Sequence, residues 1–166
     1  MTLAHLIKPR NVVCNVSVRS KKHCLEVLSE LLATSSPEIA REDIFAKLFE
    51  RERLGSTGLG NGVAFPHCRF DGVTACNAAL LKLAEPVEFD APDDQYVDLV
   101  LGLILPEEIT DGHRDMMAEI TALLNDDGVR RRLRAANDSN DMLEALLAGR
   151  RDEHSGFVTH HATRRI

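Results

Sequence analysis

The most informative part of this sequence reads Arg51-Glu-Arg-Leu-Gly-Ser-Thr-Gly-Leu-Gly-Asn-Gly-Val-Ala-Phe-Pro-His-Cys-Arg69. Four glycines fall within Gly55–Gly62, and a set this dense predicts a loop rather than a helix or a strand. Glycine lets backbone N–H groups approach an anion closely, and neighbouring hydroxyl and amide groups add donors. His67 follows Pro66, which restricts the backbone just before the imidazole. The stretch therefore favours an oxyanion handled beside a histidine, with a purely structural turn as the alternative.

Two common phosphate-binding patterns are absent from this loop. A Walker A loop ends in Gly-Lys-Ser/Thr, which does not occur here. The run Gly58–Gly62 misses the Gly-x-Gly-x-x-Gly spacing, because its third glycine arrives one residue early. The loop therefore gives no indication of a bound nucleotide.

Regular elements are predicted on both sides of the loop. The helices, each with an apolar face at helical spacing, are predicted over residues 21–33, 40–53, 111–125, 129–136 and 141–147. The strands, rich in apolar residues, are predicted over residues 12–18, 63–66, 78–83 and 97–105. Ser20 and Thr110 are the predicted N-caps of two helices. Strands and helices interleave, so we expect an α/β protein with helices packed on a sheet.

The chain has the composition of a globular domain, with 166 residues, 44% hydrophobic and 28% charged. We expect one domain over residues 1–148 and a polar, mobile tail over residues 149–166. The formal net charge is −6, and residues 150–166 hold four arginines against Asp152 and Glu153, which leaves −8 on residues 1–149. So acidic a domain is a poor candidate for nucleic-acid binding and suits a basic protein partner.

No apolar run is long enough to cross a bilayer, and the N-terminus lacks the apolar core of a signal peptide. The four cysteines, Cys14, Cys24, Cys68 and Cys76, form no Cys-x-x-Cys pair, so we expect reduced thiols and a cytoplasmic protein. Cys68 beside His67 suggests a Cys/His nucleophile, but adjacent strand residues point to opposite faces, which disfavours that hypothesis.

The glycine-rich stretch resembles the active-site signature of enzyme IIA domains of the bacterial phosphoenolpyruvate-dependent phosphotransferase system, in the fructose/mannitol and nitrogen-regulatory superfamily. The shared pattern is Arg-Glu followed by Ser-Thr-Gly-x-Gly-x-Gly-Val-Ala-x-Pro-His. The likeness extends over residues 3–148 and includes the segments 89–100 and 131–136. It implies a mixed β-sheet flanked by helices.

The resemblance also implies roles for particular residues. His67 takes the position of the phosphorylated histidine, and His113 that of a second active-site histidine that hydrogen-bonds the first. Arg51 takes the position of an arginine that stabilises the phosphoryl group, although Arg53 lies only two residues away. The implied phosphate-binding residues are Ser56, Thr57, Gly58, Gly60 and Asn61. The chemistry needs a neutral imidazole and requires neither a metal nor a cofactor.

Two functional classes follow from this resemblance, both receiving the phosphoryl group from an HPr-type phosphohistidine carrier. The favoured one is a regulatory protein whose phosphorylation state controls binding to target proteins, because Leu6-Ile-Lys-Pro9 and residues 131–136 look more like the nitrogen-regulatory branch. The alternative is a sugar-transport relay that passes the group to an enzyme IIB. A neighbouring sigma-54-type gene cluster would favour regulation, and a sugar permease gene would favour transport. A binding module with an inert histidine is a third hypothesis.

The remaining features have simpler interpretations. The basic run Arg130–Arg134 is interpreted as a solvated helix face rather than a docking site, and Glu52 as a helix-surface charge. Met116 and Met117 are interpreted as core residues. A weak metal site at the C-terminal histidines is disfavoured; these are His154, His160 and His161.

Overall fold

The structure is a computed structural model and describes residues 3–149. Its strands are β1 (Ile7–Val16), β2 (Gly58–Gly60), β3 (Val63–Ala64), β4 (His67–Phe70), β5 (Asn77–Val87) and β6 (Val97–Pro106). Its helices are α1 (Leu3–Leu6), α2 (Lys21–Ser35), α3 (Arg41–Leu54), α4 (Asp111–Leu124), α5 (Asp127–Ala135) and α6 (residues 139–149). The predicted tail beyond residue 149 and its three histidines lie outside the described residues.

The predicted elements are present, and both predicted N-caps are confirmed. The hydroxyls of Ser20 and Thr110 accept hydrogen bonds from backbone N–H groups in the first turns of α2 and α4. Strand β1 begins earlier than predicted and includes Pro9, which is tolerated because β1 lies at an edge of the sheet. The glycine-rich segment was predicted to be entirely loop, and this is wrong for β2, which pairs antiparallel with β3.

One mixed sheet runs through the domain, as the resemblance implied. The strand order is β1-β5-β6-β3-β2, and β4 also pairs with β6. Strand β5 is parallel to β1 and antiparallel to β6, whereas β3 and β4 are both parallel to β6. The long strands β1, β5 and β6 therefore form a frame, and the short strands lie along the free edge of β6.

Strands β3 and β4 are two pieces of one interrupted strand along β6, named the edge strand, and β2 pairs with its first piece. Val63 and Ala64 pair with Leu99 and Val100, and His67 resumes the same register opposite Leu103. The interruption is Phe65-Pro66, where proline has no N–H to donate and the N–H of Phe65 turns to the Thr57 carbonyl at 3.0 Å. His67 is therefore the first residue of the resumed strand.

Helices cover both faces of the sheet, and each face has its own apolar core. In β6, Leu99, Leu101, Leu103 and Leu105 face the core that contains α4, α5 and α6, whereas Val100 and Ile104 face the core that contains α2 and α3. This alternation is the two-residue period of a strand, and it explains why β6 is apolar at almost every position. By register with β6, His67 lies on the α4 side and Cys68 on the α2–α3 side.

A buried amide pair ties the C-terminal end of α2 to the sheet. Asn77 donates to the Leu32 carbonyl at 2.8 Å and to the Ser36 hydroxyl at 3.1 Å. Its own side-chain oxygen accepts from Asn11, which is fully buried. The Leu32 carbonyl also accepts from the Ser36 N–H at 3.1 Å, so Asn77 adds a second hydrogen bond to the last turn of α2.

We expect Asn77→Ala to lower the free energy of unfolding by about 2 kcal/mol, because it removes the buried hydrogen bonds that Asn77 makes with Asn11, Leu32 and Ser36. Urea denaturation followed by circular dichroism would measure this loss. Asn137→Ala removes an exposed amide and should change the unfolding free energy little. Equal effects of the two substitutions would contradict the role assigned to Asn77.

Candidate functional site

The imidazole of His67 is held by the residue two positions before it. Its Nδ1 lies 2.9 Å from the carbonyl oxygen of Phe65, and a carbonyl can only accept a hydrogen bond. Nδ1 therefore carries the proton in the neutral ring, and Nε2 keeps its lone pair. The two-residue interruption of the edge strand places the Phe65 carbonyl there, so the broken strand selects the tautomer.

The surroundings of His67 favour the neutral ring. Burial lowers the pKa of His67 below its ordinary value of 6.5, and the positive charge of Arg51 lowers it further. The hydrogen bond to Phe65 and the negative charge of Glu52 raise it, but they do not reverse the direction. A nucleophilic imidazole must be unprotonated, so this environment suits attack by Nε2 at neutral pH.

We expect NMR titration of the His67 ring to give a pKa below 6.5. The folded state binds a proton at His67 less readily than the unfolded state, so protonation destabilises the fold. The stability contribution of His67 is therefore complete above pH 6.5 and is lost as the pH falls through the lower pKa of the folded state. Arg51→Gln should raise the pKa of His67, whereas Arg53→Gln, a matched change at a cation outside the cleft, should alter it less. A His67 pKa at or above 6.5 would contradict this description.

His67 opens into a cleft of about 280 Å³ between β2 and α4. The residues that line it are Arg51, Ser56, Thr57, Gly58, Leu59, Phe65, His67, Met117, Ala118 and Thr121. Arg51 is anchored at the end of α3, where one guanidinium nitrogen donates to the Gly55 carbonyl at 2.9 Å. Arg53 does not line the cleft, so the geometry favours Arg51 of the two arginines left open by the sequence.

The donors of the glycine-rich segment are largely used within the protein. The Ser56 hydroxyl donates to the Phe89 carbonyl at 2.8 Å and accepts from the Gly58 N–H at 3.0 Å. A side chain at Gly58 would meet Ala91, with its Cβ only 2.9 Å from that of Ala91. The glycine here therefore permits close packing of two segments, a different role from the open anion cradle that the glycine density suggested.

Glu52 is not the helix-surface charge predicted from the sequence. Its side chain is only 3% exposed and forms an ion pair with Lys21 at 2.9 Å. Its two oxygens accept from the Thr57 N–H at 2.9 Å and the Thr57 hydroxyl at 2.6 Å. Glu52 continues the four-residue spacing of the buried residues Ile44 and Leu48, which is the signal that could have placed it inside.

Two predicted phosphate-binding residues, Gly60 and Asn61, lie outside the lining of the cleft. Asn61 has a positive φ of 58° and forms the turn between β2 and β3. Its N–H donates to Asp93 at 2.8 Å, and its carbonyl accepts from Arg134 at 2.6 Å. Arg134 also pairs with Asp98 at 2.9 Å, so this turn is held from two sides.

His113 lies at the start of α4 and does not line the cleft either. Its Nδ1 accepts from the Thr110 N–H at 3.1 Å, and the Thr110 hydroxyl accepts from the His113 N–H at 3.1 Å. This is a capping box with histidine in the place usually taken by glutamate or glutamine. Because Nδ1 accepts, the neutral ring carries its proton on Nε2, which is left as a donor.

The structure also tests the interpretations given to Cys68, to the two adjacent methionines and to the basic run of α5. Cys68 lies in the core beneath α2 and α3, and burial raises its pKa to about 12, which confirms that it does not share a face with His67. Met116 is buried as predicted, but Met117 is half-buried and lines the cleft. Arg130 is buried and donates to the Leu124 carbonyl at 3.0 Å, so the solvated-face interpretation is wrong there.

A second cleft of about 410 Å³ also borders His67. Its charged rim carries three cations and two carboxylates: Lys47, Arg51, Arg69, Glu50 and Glu107. Leu54, which is 82% exposed, lies on the same rim. The strongly acidic sum over the domain therefore does not describe the charge around His67.

Residues 3–149 contain neither a metal-binding cluster nor a membrane-spanning helix. No group of three or more histidine, cysteine or acidic residues could hold a metal ion within this part of the chain. No helix among these residues is long and apolar enough to cross a membrane.

Comparisons with known proteins identify the family of this chain and match its fold. Residues 5–149 match the family model described as phosphoenolpyruvate-dependent sugar phosphotransferase system, EIIA 2. The chain is 43% identical over 145 residues to a nitrogen regulatory protein of Pseudomonas aeruginosa, covering 87% of this chain and 94% of that one. Among solved structures, the nitrogen regulatory protein IIA-Ntr from Neisseria meningitidis matches with a TM-score of 0.80 and 35% identity, covering 86% of this chain and 97% of that one.

A more distant solved structure shares the fold. It is the complex of enzyme IIAMTL with phosphorylated enzyme IIBMTL from Escherichia coli, matched with a TM-score of 0.67 and 22% identity. The match covers 86% of this chain and 99% of that one.

Proposed function

Because this chain belongs to the EIIA 2 family of the phosphoenolpyruvate-dependent sugar phosphotransferase system, we propose that it accepts a phosphoryl group on Nε2 of His67 from an HPr-type phosphohistidine protein. One observation carries the proposal. The Phe65 carbonyl holds the proton on Nδ1, which leaves the Nε2 lone pair in a cleft lined by Arg51.

The proposed reaction is an in-line transfer between two imidazoles. The Nε2 lone pair of His67 forms the new N–P bond while the donor's N–P bond breaks, and the bonding electrons return to the donor's ring nitrogen. The ring of His67 gains positive charge as the bond forms. The hydrogen bond from its Nδ1–H to the Phe65 carbonyl stabilises that charge. No proton has to leave for the N–P bond to form, and the step uses no metal or cofactor.

Catalysis of phosphoryl transfer depends mainly on positioning and on stabilising the charge that develops on the phosphoryl oxygens. We assign this role first to Arg51, whose guanidinium lines the cleft with only one nitrogen used on Gly55. His113 is proposed as a second donor through Nε2–H, reached when a phosphoryl group or donor protein fills the space beside α4. Ser56, Thr57 and Gly58 form the wall, and Gly60 and Asn61 support it from the adjoining turn.

We favour a regulatory role over sugar transport. The support is the nitrogen regulatory function named for the relatives from Pseudomonas aeruginosa and Neisseria meningitidis, which this chain matches over most of both lengths. Phosphorylation of His67 would then control binding to target proteins in the cytoplasm. The alternative is transfer to an enzyme IIB, favoured by the shared fold of the mannitol IIA that is seen with its IIB.

Intact-mass analysis of the native chain tests the carrier role. Incubation with phosphoenolpyruvate, enzyme I and an HPr-type carrier should add one phosphoryl group that is labile in acid. Two-dimensional ¹⁵N NMR of the product should place the N–P bond on Nε2. No gain in mass, while a known IIA is phosphorylated by the same reagents, would contradict the carrier role.

Adding an enzyme IIB to the phosphorylated chain separates the two roles. Retention of the phosphoryl group would support regulation, and rapid loss to the IIB cysteine would support transport.

A further inference from the structure

The ion pair of Glu52 and Lys21 links the last turn of α3 to the first turn of α2. Glu52 lies in the last turn of α3, where the helix dipole disfavours a negative charge, and it is buried. Removing an ion pair from water is expensive, and a buried pair is weak evidence of a gain in stability. Its contacts with the cleft suggest a different use.

Glu52 accepts hydrogen bonds from both donors of Thr57. One carboxylate oxygen accepts the Thr57 N–H at 2.9 Å, and the other accepts the Thr57 hydroxyl at 2.6 Å. Thr57 lines the cleft that contains His67 and begins the segment that leads into β2. A bidentate contact of this kind fixes both the position of the backbone and the rotamer of the side chain.

Lys21 completes the arrangement from α2. Its ammonium group pairs with Glu52 at 2.9 Å, donates to the Phe89 carbonyl at 3.2 Å and lies 5.1 Å from the centroid of the Phe89 ring. The Phe89 carbonyl also accepts from Ser56, the residue before Thr57. Two neighbouring wall residues are thereby tied to one buried network, and Lys21 balances the carboxylate charge beside an incoming phosphoryl group.

We propose that Glu52, paired with Lys21, is a positioning residue for phosphoryl transfer, which fixes Thr57 and through it the cleft wall facing His67. The proposal rests on the carrier function proposed above. Transfer rates depend steeply on placement, and a misplacement of about 1 Å can cost on the order of 100-fold. Glu52 touches neither His67 nor the phosphoryl group in this account and acts through Thr57.

The test uses the full chain and phosphoramidate, a small-molecule donor that phosphorylates imidazoles without a docking protein. Glu52→Gln keeps the shape of the side chain but removes the charge-assisted contacts, and we expect phosphorylation to slow by about tenfold to 100-fold. Thr57→Val should slow it similarly, and Thr57→Ser, which retains both donors, should restore most of the rate. Glu42→Gln, an exposed carboxylate in the first turn of α3, is the matched control.

Two readouts separate positioning from general loosening of the fold. If Glu52 acts through Thr57, the double variant Glu52→Gln/Thr57→Val should be no slower than the slower single variant. In addition, Glu52→Gln should lower the pKa of His67, because the carboxylate charge raises it in the native protein. Unfolding measured in urea shows which variants remain folded, and the Thr57 variants test the proposal if Glu52→Gln does not fold.

The outcomes are distinct. A Glu52→Gln rate within twofold of native, or independent additive effects of the two substitutions, would overturn the positioning role. A native chain that is phosphorylated neither by phosphoramidate nor by the carrier protein would instead overturn the carrier function.

Discussion

His67→Gln should abolish phosphoryl acceptance while leaving the protein folded. Glutamine has no nucleophilic nitrogen, and the lining of the cleft contains no other histidine that could accept the phosphoryl group. The side chain is half-buried at the first position of β4, where a polar residue of similar length can still reach the Phe65 carbonyl. Intact mass after incubation with the phosphorylated carrier should show no addition, against a full addition in the native chain.

His113→Gln provides the matched comparison at the second histidine. Glutamine at this position of a capping box can still accept the Thr110 N–H, so the start of α4 should keep its stability. Any slower phosphorylation then reports loss of the imidazole itself. A His67→Gln chain that still gains a phosphoryl group would show that another residue is the acceptor.

Gly102→Val should give the largest loss of stability of the substitutions considered, about 3 kcal/mol or more, because it overpacks a closed core. Gly102 lies in the middle of β6 opposite Ala79, on the face covered by α2. A Cβ atom there would lie 2.5 Å from one methyl carbon of Leu28, whose side chain is fully buried. Neither the central strand nor the helix can move without disturbing its other neighbours.

Gly112→Ala is the matched control, since only the Thr110 hydroxyl oxygen lies within 4 Å of the added Cβ, at 3.6 Å. It should leave the unfolding free energy unchanged or slightly raise it. Thermal unfolding by calorimetry would compare the two variants. A Gly102→Val chain as stable as Gly112→Ala would contradict the tight approach of α2 to the sheet.

The helices and the long strands could be predicted from the sequence, because each helix presents an apolar face to one core and the long strands are apolar toward both cores. Strand β4 could not, since Pro66 interrupts the edge strand and His-Cys-Arg has no strand signature. Strand β2 was hidden by its glycines, whose low strand propensity is overridden by pairing with β3.

The candidate site was predicted unevenly for similar reasons. The motif places His67 and Arg51 in one cleft, but periodicity says nothing about where hydrogen-bond donors point, so the internal use of Ser56 and Thr57 could not be foreseen. Whole-chain charge was a poor guide to the rim of His67, because charge sums contain no positions. The charge of Glu52 favours the surface, whereas its four-residue spacing from Ile44 and Leu48 places it inside, and the spacing prevails.

The interrupted edge strand has a consequence for how the domain opens. The frame of β1, β5 and β6 is held by long ladders, whereas β3 and β4 contribute two and four residues to the edge. Segments with few ladder bonds exchange their amide protons through local fluctuations, at lower free energy than global unfolding. His67 thus lies in one of the short segments of the sheet, which we expect to open at lower free energy than the frame.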